Sequence, residues 1–216
     1  MNSVKGMTTT QIDTQLAPAP AVRAWGGLVT DTRYVLTGFP LAVVAFGLCL
    51  TGLAAGAGLA VVWAGVPLLA AAMRWARGFA AAERARVAPV LGAALPAPSY
   101  RAATSASRPA RLIAVLADPQ AWRDLTHAVL RLVPSTIAFS FVATWWAGVL
   151  GGATWSLWGW ALPSDDVELP ELLGFGDRYR TIVLFYLAVA AVFALTLPAV
   201  ARAAARFEAG FARALL

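Results

Sequence analysis

The chain has 216 residues, of which 60% are hydrophobic and only 13% are charged, with a mean hydropathy of +0.69. A soluble domain has about a quarter of its residues charged, so this composition argues against a water-soluble fold and for a membrane protein. The net charge of +6 would suggest nucleic-acid binding in a soluble protein. The single cysteine, Cys49, excludes a disulfide framework and is expected to be a small buried hydrophobe.

The N-terminal segment 1–24 is polar and rich in Thr, Ala and Pro, without the apolar core of a signal peptide. We expect a disordered cytoplasmic tail. No charge then occurs from Val35 to Met73, a run about twice as long as the ~20 apolar residues of one span. It predicts a tight hairpin of two spans near 35–54 and 57–74, turning at the glycines Gly52, Gly56 and Gly58.

Two further uncharged runs predict spans near 132–155 and 181–201. The fold class is therefore all-α: a polytopic membrane protein with four transmembrane helices in two hairpins. Of the 17 Lys and Arg residues, only Arg178 and Arg180 fall in the loop 156–180. By the positive-inside rule this acidic loop faces outside, and both termini are cytoplasmic in a bacterial plasma membrane.

The cytoplasmic segment between the hairpins is predicted to have three parts. A helix over 75–91 continues the second span, and a linker covers 92–117. Asp118 as N-cap and Pro119 at the first helical position then begin an amphipathic helix. Its polar row of Arg123, His127 and Arg131 is expected to be solvated or in contact with lipid headgroups of the inner leaflet.

Few residues indicate catalysis. His127 is the only histidine, and no P-loop, dinucleotide fingerprint or zinc-protease motif occurs. We therefore expect no enzymatic activity, no cofactor and no metal. The predicted spans lack charged residues in their interiors, which argues against a proton or ion pathway and hence against transport.

The outer loop is the best candidate for recognition. Its tryptophans and acids could attract a cationic or amphipathic ligand through charge and cation–π contact: Trp155, Trp158, Trp160, Asp165, Asp166, Glu168 and Glu171. Alternatively, the indoles only anchor the helix at the interface and the acids only reflect topology. Two GxxxG motifs, at Gly52 and Gly148, favour close helix packing within the chain or in a homodimer.

Several motifs together resemble a known family. They are Arg33-Tyr34-x-x-x-Gly38-Phe39-Pro40-Leu41, Gly65-Val66-Pro67-Leu68-Leu69, Ala76-Arg77-Gly78, Glu83-Arg84 and Asp118-Pro119-x-x-Trp122-Arg123-Asp124-Leu125. Over about residues 25–216 the chain is similar to the "Putative sensor" domain of actinobacterial membrane proteins, which is commonly N-terminal to two-component histidine kinases. The last of these motifs is the most specific.

The resemblance implies signal sensing without a known ligand site. No catalytic ATP-binding segment follows Leu216 in this sequence, so we expect a separate partner, such as a histidine kinase, to transmit the signal. Candidate relay residues lie in the cytoplasmic helices: Glu83, Arg84, Asp118, Trp122, Arg123 and Asp124. A structural or accessory membrane subunit is the main alternative, and a small transporter or lipid-handling protein is a third. The expected partners are the lipid bilayer and a signalling protein, and not nucleic acid.

Overall fold

The computed structural model describes residues 20–161, 169–176 and 178–216, and this part of the chain is helical without strands. Two 3₁₀ turns, Ala60–Val62 and Gly159–Ala161, follow the first and the fifth helix. The helices are α1 (Pro20–Gly58), α2 (Gly65–Leu91), α3 (Arg108–Leu116), α4 (Pro119–Leu130), α5 (Leu132–Trp158), α6 (Leu169–Leu172) and α7 (Tyr179–Leu215).

Within the described residues, three helical segments are long and apolar enough to cross a membrane: Trp25–Gly58, Pro119–Ala161 and Tyr179–Leu215. These segments support a membrane protein with fewer clear spans than the four predicted. The helix α2 is not among them because its uncharged section ends at Met73. Nine residues cover only about 13 Å at 1.5 Å per residue, well short of a ~30 Å hydrocarbon core.

The turn between α1 and α2 lies later than the glycines predict. Helix α1 continues through Gly58, and the chain turns over 59–64, where Trp63 has a φ of 59°. The glycines serve helix packing instead. A Cβ on Gly52 would lie 2.8 Å from that of Ala72, and one on Gly56 would lie 2.6 Å from Leu69 Cγ. Glycine at these positions lets α2 approach α1 closely.

The second GxxxG motif has the same role between α5 and α7. A Cβ on Gly148 would lie 2.7 Å from the Phe193 ring, and one on Gly152 would lie 2.6 Å from the carbonyl oxygen of Tyr186. Both motifs therefore mediate helix contacts within the chain.

The helices α1 and α5 pack antiparallel. The rings of Phe39 and Phe139 stack with centroids 4.5 Å apart, and Trp146 Nε1 donates to Thr32 Oγ1 at 3.3 Å. The turn from α1 to α2 and the connection from α5 to α7 therefore lie at opposite ends of the bundle. The four-span arrangement predicted from the sequence placed both of these connections on the outer side of the membrane. Charge counting assigns a side to each hairpin separately and contains no information about how the hairpins pack.

The segment between the hairpins folds onto α2. Asp118 caps α4 as predicted, because its side chain accepts from the backbone N–H of Gln120, with Pro119 at the first helical position. The predicted linker 92–117 contains a helix, α3, whose N-cap Ser107 accepts from Ala110 N. One apolar cluster joins α1, α2, α3 and α4 and includes the fully buried Cys49.

Candidate functional site

The site is built around Arg131, which lies at the junction of α4 and α5 and is only 2% exposed. Its Nη1 is 2.7 Å from Glu83 Oε2, and its Nη2 is 2.9 Å from Glu208 Oε1. Glu83 belongs to α2 and Glu208 to α7. One guanidinium therefore connects the α4–α5 junction with two other helices through charge-assisted hydrogen bonds, which are stronger than neutral ones.

Glu83 has two further partners. The Tyr34 hydroxyl of α1 donates to its Oε1 at 2.6 Å, and Arg86 Nη1 lies 2.9 Å from its Oε2. Arg86 Nη2 also donates to the carbonyl oxygen of Tyr34 at 2.6 Å and to Thr37 Oγ1 at 3.0 Å. These bonds extend the network to α1.

Glu208 is less completely paired. The hydroxyl of Ser135 donates to its Oε1, which also accepts from Arg131. Its Oε2 is buried and has no hydrogen-bond partner among the described residues. A Cβ on Gly38 would lie 2.8 Å from Oε1, so a larger residue at this position of α1 would force the carboxylate to move.

The network formed by Tyr34, Glu83, Arg86, Arg131, Ser135 and Glu208 (hereafter the central network) pairs two carboxylates with two guanidinium groups. Buried ion pairs add little net stability because desolvation opposes their attraction, yet removing one partner leaves an uncompensated buried charge. Such an arrangement strongly favours one relative position of the helices that supply it. It is therefore a candidate for coupling their movements.

A second cluster surrounds Asp124 of α4, which is fully buried. Arg84 Nη2 lies 3.1 Å from its Oδ1 and 3.4 Å from the carbonyl oxygen of Leu216. Tyr100 OH donates to Asp124 Oδ2 at 2.7 Å. Burial and this hydrogen bond raise the pKa of Tyr100. Asp124 thus joins α4 to α2, to the segment before α3 and, through Arg84, to the end of α7.

A third contact holds the beginning of α4. Arg77 Nη2 lies 2.8 Å from Asp118 Oδ2, which also accepts from the backbone N–H of Arg101 at 3.1 Å. The guanidinium of Arg77 lies over the Tyr100 ring, 4.2 Å from its centroid. Both ends of α4 are therefore tied to α2 by ion pairs.

The predicted relay residues separate into two groups. Four of them form ion pairs between helices: Glu83, Arg84, Asp118 and Asp124. Trp122 and Arg123 are exposed, and the Trp122 indole donates to the carbonyl oxygen of Leu116. Four of the six predicted relay residues therefore take part in ion pairs between helices, and two do not.

The predicted polar row on α4 is wrong for two of its three members. Arg123 is exposed, but His127 and Arg131 are 1% and 2% exposed. His127 packs near the Phe211 ring, with centroids 6.1 Å apart. The reason is that α4 packs between α2 and α7, so its polar row faces protein instead of lipid headgroups.

Sequence reasoning did not select Tyr34, Arg86, Ser135 and Glu208 as site residues. Most of their partners are far away in the chain: Ser135 and Glu208, for example, are 73 positions apart. The available signal was the motif Arg33-Tyr34-x-x-x-Gly38, which contains the hydroxyl donor and the glycine that makes room for the carboxylate.

The outer-loop candidates are only partly described. Trp155 stacks on Tyr186, with centroids 4.1 Å apart, whereas Trp160 is 75% exposed. Trp158 Nε1 donates to Thr154 Oγ1 at 3.2 Å. Glu171 lies exposed on α6, and the remaining loop acids fall outside the described residues: Asp165, Asp166 and Glu168. Within the described residues, no three His, Cys, Asp or Glu side chains are grouped as a metal site.

A family model with the description "Putative sensor" matches residues 34–216. The chain belongs to this family. The match begins at Tyr34, the hydroxyl donor to Glu83, and it includes every member of the central network. No curated protein and no solved structure shows a significant match to the chain.

Proposed function

We propose that this member of the "Putative sensor" family is a non-catalytic membrane sensor that relays a stimulus to a separate protein, such as a histidine kinase. Family membership supports sensing. The observation that carries the relay is the position of Arg131, which joins α2 and α7 at the junction where α4 ends and α5 begins.

The proposed relay is mechanical. Movement of α5 against α7, caused by a stimulus at the loop 156–180 or in the bilayer, has to displace Arg131 from Glu83 or Glu208. Because α4 ends at Arg131, this displacement changes the packing of α4 against α2. It also changes the contact between Arg84 and the end of α7. A stimulus can shift the equilibrium between the paired and the displaced position of Arg131 only by the difference in its affinity for the two.

The test is a comparison of signalling output in cells of the source organism. Cells carrying Arg131→Met or Glu208→Gln are compared with cells carrying Arg111→Gln, an exposed position on α3, at matched membrane abundance. We expect the two network variants to change the phosphorylation of at least one response regulator on phosphate-affinity gels, and the control to leave it unchanged. Unchanged phosphorylation in all three would contradict the proposal.

The structural or accessory subunit is distinguished by the outer loop. Trp158, Trp160 and Glu171 are replaced by Ala together, and output and co-purifying proteins are both measured. A sensor that uses the loop loses its response. A scaffold keeps its partner and its output, because on that hypothesis the loop binds no ligand.

For the membrane arrangement, we propose that α5 and α7 cross the plasma membrane with the acidic loop 156–180 outside and the Arg-rich C-terminal end of α7 in the cytoplasm. The uncharged stretches of both helices and the excess of Arg after residue 201 support this placement. Two further spans, α1 and α2, require their turn to lie on the outer side, which labelling of a cysteine introduced at Val61 tests.

A further inference from the structure

A cavity of about 580 Å³ opens between α1 and α2 beside the central network. Five residues of α1 and two of α2 line it: Val29, Thr30, Arg33, Tyr34, Thr37, Arg86 and Pro89. Two guanidinium groups and two threonine hydroxyls thus face a space large enough for a small polar group, and no carboxylate is among the lining residues.

The charge in this cavity is not fully neutralised. Arg86 is paired with Glu83, with both of its terminal nitrogens bonded to protein groups. Arg33 is exposed and makes no ion pair within the described part of the chain. Since Asp31 on the same helix is buried and bonded to Arg202, it does not compensate Arg33. The cavity therefore has one cation available for an anionic ligand.

The position in the bundle indicates the kind of ligand. Arg33 lies two residues after Asp31, which pairs with Arg202 at the start of the Arg-rich end of α7, and such basic residues mark the level at which polar headgroups meet hydrocarbon. Exposed Val29 and Pro89 supply apolar walls beside the polar groups. A phospholipid combines the two chemistries, and basic pockets between helices at this depth suit anionic headgroups.

We propose that this cavity binds the phosphate of an anionic phospholipid headgroup, with Arg33 as the charged contact and the hydroxyl of Thr30 as a hydrogen-bond donor. Planar guanidinium groups match phosphate geometry well. The proposal does not depend on the sensor hypothesis, because it concerns equilibrium binding to the resting protein.

The test measures lipids retained by the full chain in detergent by native mass spectrometry, after adding phosphatidylglycerol or phosphatidylcholine with the same acyl chains. Arg33→Gln is expected to lower retention of phosphatidylglycerol about fivefold, the factor for losing one basic contact near a membrane surface. Arg33→Lys should keep most of the binding. Arg111→Gln, which removes an exposed arginine elsewhere, is the matched control. Because Arg33 is exposed and unpaired, these variants should keep the wild-type helix content and elution volume.

Three results would overturn the proposal. If Arg33→Gln and Arg111→Gln lowered the retention of phosphatidylglycerol equally, the lipid would be attracted by net charge and not by this cavity. Equal retention of phosphatidylcholine and phosphatidylglycerol would exclude recognition of the anionic headgroup. Displacement of phosphatidylglycerol by millimolar inorganic phosphate would assign the cavity to soluble phosphate compounds instead of lipid.

Discussion

Arg131 and Glu208 form a buried ion pair, with Nη2 and Oε1 2.9 Å apart, and the other terminal nitrogen of Arg131 holds Glu83 at 2.7 Å. Arg131 is thus the common partner of two carboxylates from helices that are distant in the chain. Removing it would leave Glu83 with Tyr34 and Arg86, and Glu208 with Ser135 alone.

We predict that Arg131→Met destabilises the protein by about 3–5 kcal/mol, the usual cost of removing one partner from a buried ion pair. The measurement is thermal or denaturant unfolding of the purified chain in a fixed detergent. Arg111→Met at the exposed position on α3 should change stability by less than about 0.5 kcal/mol. Adding Glu83→Gln and Glu208→Gln to Arg131→Met should recover part of the loss. If the central network did not stabilise the fold, Arg131→Met and Arg111→Met would change the free energy of unfolding equally.

Two glycines of α1 offer a matched test of the space around Glu208. In Gly38→Ala the new methyl group would lie 2.8 Å from Glu208 Oε1, whereas at Gly47 a Cβ meets nothing within 4 Å. We expect Gly38→Ala to cost about 1–3 kcal/mol through overpacking. Gly47→Ala should be neutral or stabilising by up to about 1 kcal/mol, because alanine favours helix more than glycine does.

Unfolding of both glycine variants under the same conditions gives the comparison. Equal stability of the two would mean that the carboxylate of Glu208 does not rest against α1.

The packing of α1 against α5 predicts the accessibility of introduced cysteines. In a Cys49→Ala background, single cysteines replace Val61, which is 88% exposed in the turn between α1 and α2, Ser105 and Ser164. We expect Ser164→Cys to react with an impermeant maleimide from outside and Ser105→Cys only after permeabilisation. Because the two turns lie at opposite ends of the bundle, Val61→Cys should not react from outside.

Labelling of Val61→Cys from outside, together with Ser164→Cys, would support the four-span arrangement predicted from charge and contradict the observed packing direction. Reversed labelling of Ser105→Cys and Ser164→Cys would overturn the orientation of the whole chain.

Tyr100 gives a prediction for pH. Burial and the bond to Asp124 raise its pKa, so the folded protein favours the neutral phenol. The resulting contribution to stability is fully present below the unfolded pKa of about 10 and is lost as pH rises through the folded value. Tyr100→Phe should therefore lose less stability than the wild type as pH rises above about 10. Parallel decline of the two in denaturant unfolding at each pH would show that Tyr100 contributes nothing to the pH dependence.

The sequence by itself determined the local features of this protein. Long uncharged runs specify apolar helices because backbone polar groups have to be satisfied internally in lipid. The pair Asp118 and Pro119 specifies the beginning of α4 because capping depends only on neighbouring residues. The burial of Cys49 and membership of the family likewise followed from sequence.

Only the tertiary structure decided which polar residues meet. Helical periodicity placed Arg123, His127 and Arg131 on a polar face, yet α2 and α7 cover that face and bury two of the three residues. The pairing of Arg131 with Glu83 and Glu208, the space left by Gly38 and the opposite directions of the two turns all depend on how distant helices pack. Periodicity and charge counting describe single helices, whereas these contacts arise from side-chain complementarity between helices that are far apart in the chain.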